Sequence, residues 1–453
     1  MSQWKKVKID FKTIKLGDYI EPIKTTVAEK GMKNPVVYGV TNKEGIVQTG
    51  KPASKDISNY IVLEENCFAF NPYRINVGSI GINDNNLTGC VSPAYVVFKT
   101  KNGLLPKFLF FYLKSDYGNH LINWYGNRGG VRNALRYSDL CNIDIPDIRN
   151  INQELLLKKF SSVSETINQI NQELEIQKTY VKQLRQNILQ DAIEGKLTAD
   201  WRKSHPVIKG NPDYDAEALF GKIQKENPEL SKKTIRSSNN LQDKMDDDFK
   251  IEIPDNWLFI NLSQLGILER GRSKYRPRND NCLFSDGQYP FVQTGDVSQS
   301  KYYGYKIQPA SKFYNETGLA QSKLWKAGTL CITIAANIAE TGFLTYDACF
   351  PDSVVGFTSY ITGSFSTFVR YYIDSIKLIL EKYAPATAQK NINLGILETL
   401  KIPLPPLAEQ TEIIRIVEEQ FGKAVLLESQ IQERETYTKQ LMQSILKDAF
   451  EER

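Results

Sequence analysis

The sequence predicts an α+β protein with two mixed globular domains, separated by two long helices that pack as an antiparallel coiled coil. Three observations support this fold class: a helical segment that occurs twice, a heptad pattern along it, and short β-type runs before each copy. With 453 residues, of which 41% are hydrophobic, the chain is too long for one hydrophobic core. We therefore expect an internal pseudo-twofold repeat.

The repeated segment is TYVKQLRQNILQDA from Thr179 and TYTKQLMQSILKDA from Thr436, at an interval of 436 − 179 = 257 residues. Over residues 179–194, eleven of sixteen positions are identical to their counterparts. The match continues back without a gap to Ile145-Pro146 and Ile402-Pro403. Each half therefore ends in a related long helix.

Apolar residues follow steps of three and four along the first copy, which predicts a coiled-coil seam. The predicted seam consists of Leu156, Phe160, Val163, Ile167, Ile170, Leu174, Val181, Leu184 and Ile188. The second seam is weaker, because Gln420, Ala424, Arg434 and Thr438 interrupt Ile413, Val417, Leu427, Ile431, Leu441 and Ile445. We expect the second helix to need the first as its partner.

Short β-type runs cut by Gly, Asn and Pro precede each long helix, and each half adds one amphipathic helix. We predict a first globular domain at 1–146, a first long helix at 147–200, a polar linker at 201–250, a second globular domain at 251–405 and a second long helix at 406–453. The linker is charged with few apolar anchors, so we expect it to be loosely packed. Within it, DYDAEALFGKIQKE could form a short helix.

Composition and motifs argue against several classes of protein. The six cysteines lack C-x-x-C spacing and only two histidines accompany them, so we expect buried thiols and no zinc site. No apolar run is long enough to span a bilayer and the start lacks a signal peptide, so we expect a cytoplasmic protein. Phosphate-loop, H-E-x-x-H and G-x-S-x-G motifs are missing. FNPYR at 70–74 resembles the N-P-P-aromatic signature of adenine methyltransferases but has one proline where that signature has two. We therefore favour a turn between two strands.

The net charge of +5 is modest, so any basic surface must be local. The best candidate is ERGRSKYRPRND at 269–280, which places Arg270, Arg272, Lys274, Arg276 and Arg278 on alternate residues. Glycine, proline and alternating cations suit an exposed loop at a strand edge. The segment is either a surface that binds a polyanion or a solvated charged turn.

The order of these features resembles the specificity subunits of type I restriction-modification systems, in which two target-recognition domains alternate with two conserved helical regions. The resemblance rests on IPLPPLAEQTEII (402–414), QNILQDAIEGKLTADWR (186–202), ATAQKNINLGILETLKIPLPP (386–406) and IEIPDNWLFINLSQLG (251–266). It covers the whole chain, although IPDIRNINQE in the first half lacks the Pro-Pro of the second.

The resemblance implies that the globular domains bind double-stranded DNA at an asymmetric bipartite target. Base contacts would need Arg, Lys, Asn or Gln in the major groove. Besides the five cations at 270–278, the candidate DNA-binding residues are Gln389, Lys390 and Asn391 in the second domain, and Arg128, Arg132, Asn133, Arg136, Arg74 and Lys51 in the first.

The resemblance also implies partners: two modification subunits carrying the methyltransferase, and restriction subunits carrying the motor and nuclease, in the bacterial or archaeal cytoplasm at the nucleoid. S-adenosylmethionine, ATP and Mg²⁺ would then be held by those subunits, with no cofactor and no catalysis in this chain.

Polar residues off the seam recur in both copies, although the outer face of a spacer helix is free to vary. Identical faces suggest one partner bound twice, and a symmetric network between the two helices is the alternative. The candidate partner-binding residues are Tyr180, Lys182, Gln183, Gln186 and Asp191, with Tyr437, Lys439, Gln440, Gln443 and Asp448.

Two other functions remain open from the sequence. A structural adaptor would tether partner proteins without reading DNA, and its binding to duplex DNA would not fall steeply with salt. A self-contained enzyme would bind S-adenosylmethionine on its own, and we expect no such binding.

Overall fold

The computed structural model describes residues 12–42, 44–49, 56–126, 134–228, 230, 251–383 and 391–451, with the side chains of 116, 150, 383 and 442–451 excepted. The chain forms two compact units. The first unit comprises Met1–Gln177 and Gln430–Arg453, and the second unit comprises Lys178–Ser429. Each unit thus combines one globular region with a segment of each long helix.

The first unit is a mixture of short strands and helices. Its strands are β1 (Thr13–Lys15), β2 (Ile20–Pro22), β3 (Val36–Thr41), β4 (Gly45–Gln48), β5 (Ile61–Val62), β6 (Phe68–Phe70), β7 (Ile80–Ile82), β8 (Gly89–Val91), β9 (Val96–Thr100) and β10 (Asp144–Pro146). Its helices are α1 (Val27–Lys30), α2 (Pro106–Lys114), α3 (Asp116–Gly126) and α4 (Tyr137–Cys141), followed by the first long helix, α5 (Gln153–Ile193), which continues into the second unit.

The second unit has a similar composition. Its strands are β11 (Leu258–Asn261), β12 (Gly266–Arg270), β13 (Tyr289–Phe291), β14 (Lys306–Ile307), β15 (Lys312–Tyr314), β16 (Leu330–Thr333), β17 (Thr341–Leu344), β18 (Val354–Ser359) and β19 (Lys401–Leu404). Its helices are α6 (Ala199–Ser204), α7 (Ala216–Glu226), α8 (Leu262–Leu265), α9 (Thr294–Gln299), α10 (Glu316–Ala320), α11 (Phe365–Ser375), α12 (Lys377–Tyr383) and α13 (Leu394–Thr399), before the second long helix, α14 (Leu407–Glu451).

The two units contain equivalent central sheets. In the first unit the strand order is β2-β9-β6-β7, and in the second it is β12-β18-β16-β17-β14. The order of the first four strands corresponds, and β14 is an addition in the second unit. A second four-stranded sheet, β4-β3-β8-β5, lies in the first unit. The α+β class and the internal repeat are therefore confirmed.

Equivalent hydrogen bonds in the two units have acceptors that are 257 residues apart. Leu16 N donates to Ile143 O over 2.9 Å, and Leu262 N donates to Leu400 O over 2.8 Å. The buried hydroxyl of Tyr112 donates to Asp144 O over 2.7 Å, and that of Tyr372 donates to Lys401 O over the same distance. In each pair the acceptor in the second unit lies 400 − 143 = 257 or 401 − 144 = 257 residues after that in the first. The repeat thus extends into the globules, where sequence identity is faint.

The two long helices run antiparallel. The carboxyl-terminal part of α5 shares the second unit with the amino-terminal part of α14, and the opposite parts share the first unit. In the second unit, Arg185 pairs with Glu428 at 3.0 Å, and its guanidinium lies 4.9 Å from the ring centre of Phe421. The predicted antiparallel coiled coil is confirmed.

Along most of both helices one seam position in each heptad is buried and the alternate one is not, except at the start of α14, where Ile413 is buried as well as Val417. The buried positions are Phe160, Ile167, Leu174, Val181 and Ile188 in α5, and Val417, Ala424, Ile431 and Thr438 in α14. The seam prediction was wrong for Leu184, Leu427 and Leu441, which are 41%, 42% and 47% exposed. Small Ala424 and Thr438 fill buried positions because an antiparallel pair can match small residues against large ones.

Part of the predicted loose linker is packed. The expected short helix is present as Ala216–Glu226, with Asp215 as its amino-terminal cap. Leu219 and Ile223 are 2% and 3% exposed and belong to the core of the second unit. This stretch is folded because its apolar residues lie on one helical face.

The buried carboxylate of Glu409 joins three distant segments of the second unit. It accepts hydrogen bonds from Trp257 Nε1 at 2.8 Å and from Thr198 Oγ1 at 2.7 Å, and it pairs with Arg202 at 2.5 Å. Glu409 is 0% exposed, so its charge is tolerated only because donors surround it. The network connects the end of α5, the start of the second globule and the start of α14.

We predict that Glu409→Ala lowers the free energy of unfolding of the second unit by about 3 kcal/mol, because it leaves the partners of a buried charge unpaired. Arg415→Ala is the matched control, since Arg415 pairs with Glu412 at the helix surface. Chemical denaturation of both variants measures the effect. Equal denaturation midpoints for the two variants would show that the network is not structurally important.

Candidate nucleic-acid interface

Several loops of the second unit leave the same end of its central sheet. Both β12 and β16 pair antiparallel with β18, so they run in the same direction. Arg270 is opposite Val355, and Thr333 is opposite Val354. The arginine loop (residues 270–280) and the hairpin loop (residues 334–340) therefore emerge side by side. We call this the loop end of the second sheet.

The arginine loop is held closely against the sheet. Gly271 N donates to Val354 O over 2.8 Å. A Cβ atom on Gly271 would lie 2.2 Å from Pro351 O, so only glycine fits there. Gln321 Oε1 accepts hydrogen bonds from the backbone N–H groups of Lys274 at 2.6 Å and Tyr275 at 2.9 Å. The backbone of the loop therefore has a defined conformation.

Three of the five predicted cations are engaged within the protein. Arg270 Nε donates to Asp352 O, and Arg278 pairs with the Asp352 carboxylate at 2.7 Å. Arg276 Nη1 donates to Ser273 O at 2.6 Å. These guanidinium groups stabilise the loop and its contact with the start of β18, although Arg278 remains partly exposed.

The other two cations, Arg272 and Lys274, are exposed. Neither side chain has a hydrogen-bonding or ionic partner among the described residues. Two cations on a rigid loop can contact phosphates or base edges without first breaking internal bonds. Arg272 and Lys274 are therefore the strongest of the predicted DNA-binding residues.

Asn391 lies at the same loop end. It forms an isolated β-bridge with Ala335 in the hairpin loop, and the adjacent Ile392 N donates to Ile334 O over 3.0 Å. Asn391 is exposed and so offers its amide to a ligand. The predicted residues Gln389 and Lys390 lie outside the described residues.

Sequence reasoning missed an aromatic pair at this loop end. Tyr302 and Tyr303 are 75% and 54% exposed. They lie in a 3₁₀ turn, Ser300–Tyr303, and Ser300 Oγ donates to Thr341 O over 2.9 Å, beside the hairpin loop. Lys301 Nζ lies 5.4 Å from the centre of the Tyr302 ring. The SKYYGYK segment, with exposed aromatic residues between lysines, was the signal available in the sequence.

In the first unit, the structure brings two predicted residues close together. The FNPYR segment ends β6 and forms the expected turn, in which Arg74 N donates to Asn71 O over 3.0 Å. Leu135 N donates to Pro72 O over 3.0 Å, so Arg136 lies beside this turn. Arg74 and Arg136 are both exposed. The predicted residues Arg128, Arg132, Asn133 and Lys51 lie outside the described residues.

Lys114 anchors the β6–β7 loop of the first unit. Its Nζ donates to Gly78 O over 2.6 Å and to Asn42 O over 3.0 Å. Burial lowers the pKa of Lys114, and the two carbonyl oxygens accept hydrogen bonds from its ammonium. This lysine therefore fixes the loop that carries Arg74, in the place where the second unit has its hairpin loop.

The counterpart of the arginine loop in the first unit follows β2 and was not predicted. Ile23 N donates to Val97 O over 2.9 Å, as Gly271 N does to Val354 O, and 354 − 97 = 257. The segment that follows carries the exposed lysines Lys24, Lys30 and Lys33. These three are scattered along a short helix and a turn, so no alternating pattern marked them in the sequence.

The predicted partner-binding residues on the long helices are mostly exposed. Tyr180 and Tyr437 are each 64% exposed. Exposed polar residues accompany them, namely Lys182, Gln183, Lys439 and Gln440. Gln186, in contrast, is half-buried and donates from Nε2 to Ser375 O over 2.7 Å, so its amide contacts α11.

The remaining predicted partner-binding residues are less informative. Asp191 is half-buried, whereas the side chains of Gln443 and Asp448 lie outside the described residues.

The described residues contain no group of three or more His, Cys, Asp or Glu side chains that could hold a metal ion. None of the described helices is both long and apolar enough to cross a membrane. Four of the cysteines are buried, but Cys282 is exposed, contrary to the expectation of buried thiols. Burial raises the pKa of Cys67 and of Cys349 to about 11, so these thiols are unreactive.

The chain is similar to proteins of one family. Residues 254–434 match the family model described as the type I restriction modification DNA specificity domain. The specificity subunit of the type I restriction enzyme EcoDI from Escherichia coli is 23% identical over 98% of this chain and 89% of its own length. That of StySPI from Salmonella potsdam is 24% identical over 76% of this chain, which spans only 65% of that relative.

Solved structures share the fold. The HsdS subunit from Thermoanaerobacter tengcongensis aligns with a TM-score of 0.53 at 17% identity, over 99% of this chain and 98% of that one. A chain from a study of complex assembly and conformational transition of the type I R-M system aligns with a TM-score of 0.65 at 16% identity, over 98% and 99% of the two chains. The chain is thus similar in sequence to type I restriction enzyme specificity subunits over nearly its whole length, and residues 254–434 carry the match to the DNA specificity domain.

Proposed function

We propose that this chain is the DNA sequence-recognition subunit of a type I restriction-modification complex. It binds an asymmetric bipartite duplex target and positions the methyltransferase and restriction subunits. The observation that carries this proposal is the loop end of the second sheet, where the exposed Arg272 and Lys274 project from a loop that three other cations and Gln321 hold in place.

The loop end combines the chemical groups that DNA recognition needs. Arg272 can donate two hydrogen bonds to guanine in the major groove, and Asn391 can pair with adenine. Lys274 and Lys301 supply positive charge for phosphates. Tyr302 offers an exposed ring for contact with a base or a sugar. One surface can therefore both position the duplex and distinguish bases.

The two units would bind different half-sites. The loop after β2 carries lysines and a short helix, whereas the equivalent loop after β12 carries alternating arginines. Equivalent sheets thus present different side chains to DNA. This difference supports an asymmetric target, because each half-site is specified by its own set of base contacts.

Catalysis would come from partners. Two modification subunits would hold S-adenosylmethionine, and restriction subunits would hold ATP and Mg²⁺, leaving this chain without a catalytic role or a cofactor of its own. The repeated exposed residues around Tyr180 and Tyr437 support two equivalent docking sites for the modification subunits. A symmetric network between the helices is less well supported, because those residues face solvent.

We predict that Arg272→Ala with Lys274→Ala weakens duplex binding and lowers the slope of log affinity against log salt concentration by about two, one for each lost phosphate neutralisation. Fluorescence anisotropy with a duplex at several salt concentrations measures the slope. Lys326→Ala is the control, since Lys326 is 81% exposed but precedes β16 at the opposite end of the sheet. Salt-independent binding by the unaltered chain would instead favour a structural adaptor.

We predict that deleting the gene removes one bipartite adenine-methylated motif from the host genome. Methylation-aware sequencing with and without the gene identifies that motif. Complementing the deletion with the Arg272→Ala, Lys274→Ala chain should change methylation through one half-site only, because the other half-site contacts the first unit. Loss of both half-site preferences would contradict the assignment of one half-site to each unit.

We predict that Tyr180→Ala with Lys182→Ala removes one of two modification subunits from the complex, and that Tyr437→Ala with Lys439→Ala removes the other. Native mass spectrometry of the assembled complex counts the subunits. The melting temperature should change little, since these side chains are exposed. Lys423→Ala, at an exposed lysine without a repeated counterpart, is the control. A large melting shift with normal assembly would favour an internal network.

A further inference from the structure

A group of buried polar side chains lies beneath the arginine loop. Ser273 and Tyr314 are 4% and 0% exposed. Ser273 Oγ, the Tyr314 hydroxyl and Gln321 Nε2 make no hydrogen bond to any described residue. Buried polar atoms without partners are costly and rare in a core formed only for stability. Because these three groups lie beneath the arginine loop, we expect the loop to be the reason that they are polar.

Gln321 connects this group to the backbone of the loop. Its Oε1 atom accepts from both Lys274 N, at 2.6 Å, and Tyr275 N, at 2.9 Å. The neighbouring Ser322 Oγ donates to Arg272 O over 2.9 Å. Two consecutive side chains, which lie about fifty positions further along the sequence, therefore bind three backbone groups of the loop, those of Arg272, Lys274 and Tyr275.

We propose that Gln321 is a positioning residue for DNA recognition: it binds no DNA, but it fixes the arginine loop so that Arg272 and Lys274 point at the duplex. This proposal rests on the proposed function of the same loop end. One side of the Gln321 amide holds the loop backbone, and its other side faces the buried polar group. Ser273, a residue of the loop itself, belongs to that group and keeps the loop against it.

The Tyr314 hydroxyl supports this arrangement. Burial raises the pKa of Tyr314, while the adjacent Ser273 and Gln321 side chains oppose part of that rise. The phenol therefore stays protonated and can donate a hydrogen bond within the group. Small rotations of these three side chains would let them bond to one another, while Gln321 Oε1 keeps the two hydrogen bonds it accepts from the loop backbone.

Positioning has a different signature from direct contact with DNA. A phosphate contact from a flexible lysine or arginine survives in a disordered loop, because it depends mainly on charge. A base contact needs defined geometry, and an unfixed loop must be ordered at the moment of binding. Loss of Gln321 should therefore reduce discrimination between sequences while leaving the salt dependence of binding unchanged.

The test compares the full chain, assembled with its partner subunits, carrying Gln321→Leu, Gln321→Glu or Gln308→Leu. The probes are a duplex with the methylated motif of the host and a scrambled duplex. We expect Gln321→Leu to lower the ratio of the two affinities about tenfold with the salt slope unchanged. Gln321→Glu retains Oε1, so its ratio should stay within about threefold of the unaltered chain. Gln308, exposed at the far end of β14, should have no effect.

Three outcomes would overturn the proposal. The ratio of affinities could be unchanged in Gln321→Leu, or the salt slope could fall as predicted for the Arg272→Ala, Lys274→Ala variant. The third outcome is that hydrogen exchange in the unaltered chain finds the backbone amides of Lys274 and Tyr275 unprotected. This measurement needs no variant, so it does not depend on whether a variant folds. If the unaltered chain itself fails to distinguish the two duplexes, the proposed function fails rather than the role of Gln321.

Discussion

The second unit depends on one buried carboxylate. Glu409 carries its charge where no water reaches it, and donors from Trp257, Thr198 and Arg202 compensate it. This requirement fixes together the end of one long helix, the start of a globule and the start of the other long helix. The first half has Asn152 at the equivalent position, 409 − 257 = 152, where it caps its own helix through Leu155 N. The two halves therefore share a fold, but among the described residues only the second half has a buried carboxylate that joins these three segments.

On that framework, the central sheet decides which loops meet. Strands β12 and β16 share β18 as a neighbour, and this pairing places the arginine loop beside the hairpin loop and Asn391. The first unit repeats the same strand order with other loop sequences. A constant scaffold with variable loops is an effective way to change DNA specificity, because base contacts can vary while the packing that positions them stays the same.

The arginine loop separates two tasks that its sequence does not distinguish. Arg270, Arg276 and Arg278 bind acceptors of the protein, while Arg272 and Lys274 face solvent. Charges used internally rigidify the loop, and rigidity makes the free charges more selective, since less conformational entropy is lost on binding. The half-buried Gln321 likewise binds the backbone of the loop and leaves the side chains of Arg272 and Lys274 free.

The sequence by itself determined the class of fold, the repeat at 257 residues and the two long helices, because periodicity of three to four residues is a local signal that each helix carries in full. Only the tertiary structure decided which seam leucines are exposed, such as Leu184, since that depends on the helix packed opposite. It also decided which cations are free. The guanidinium of Arg278 is bound by Asp352, 74 positions away. In the described part of the chain, Lys274 is bound only through its backbone N–H, by the amide of Gln321 47 positions away, so its ammonium is free. Contacts across such distances follow from strand pairing, which no local pattern of residues specifies.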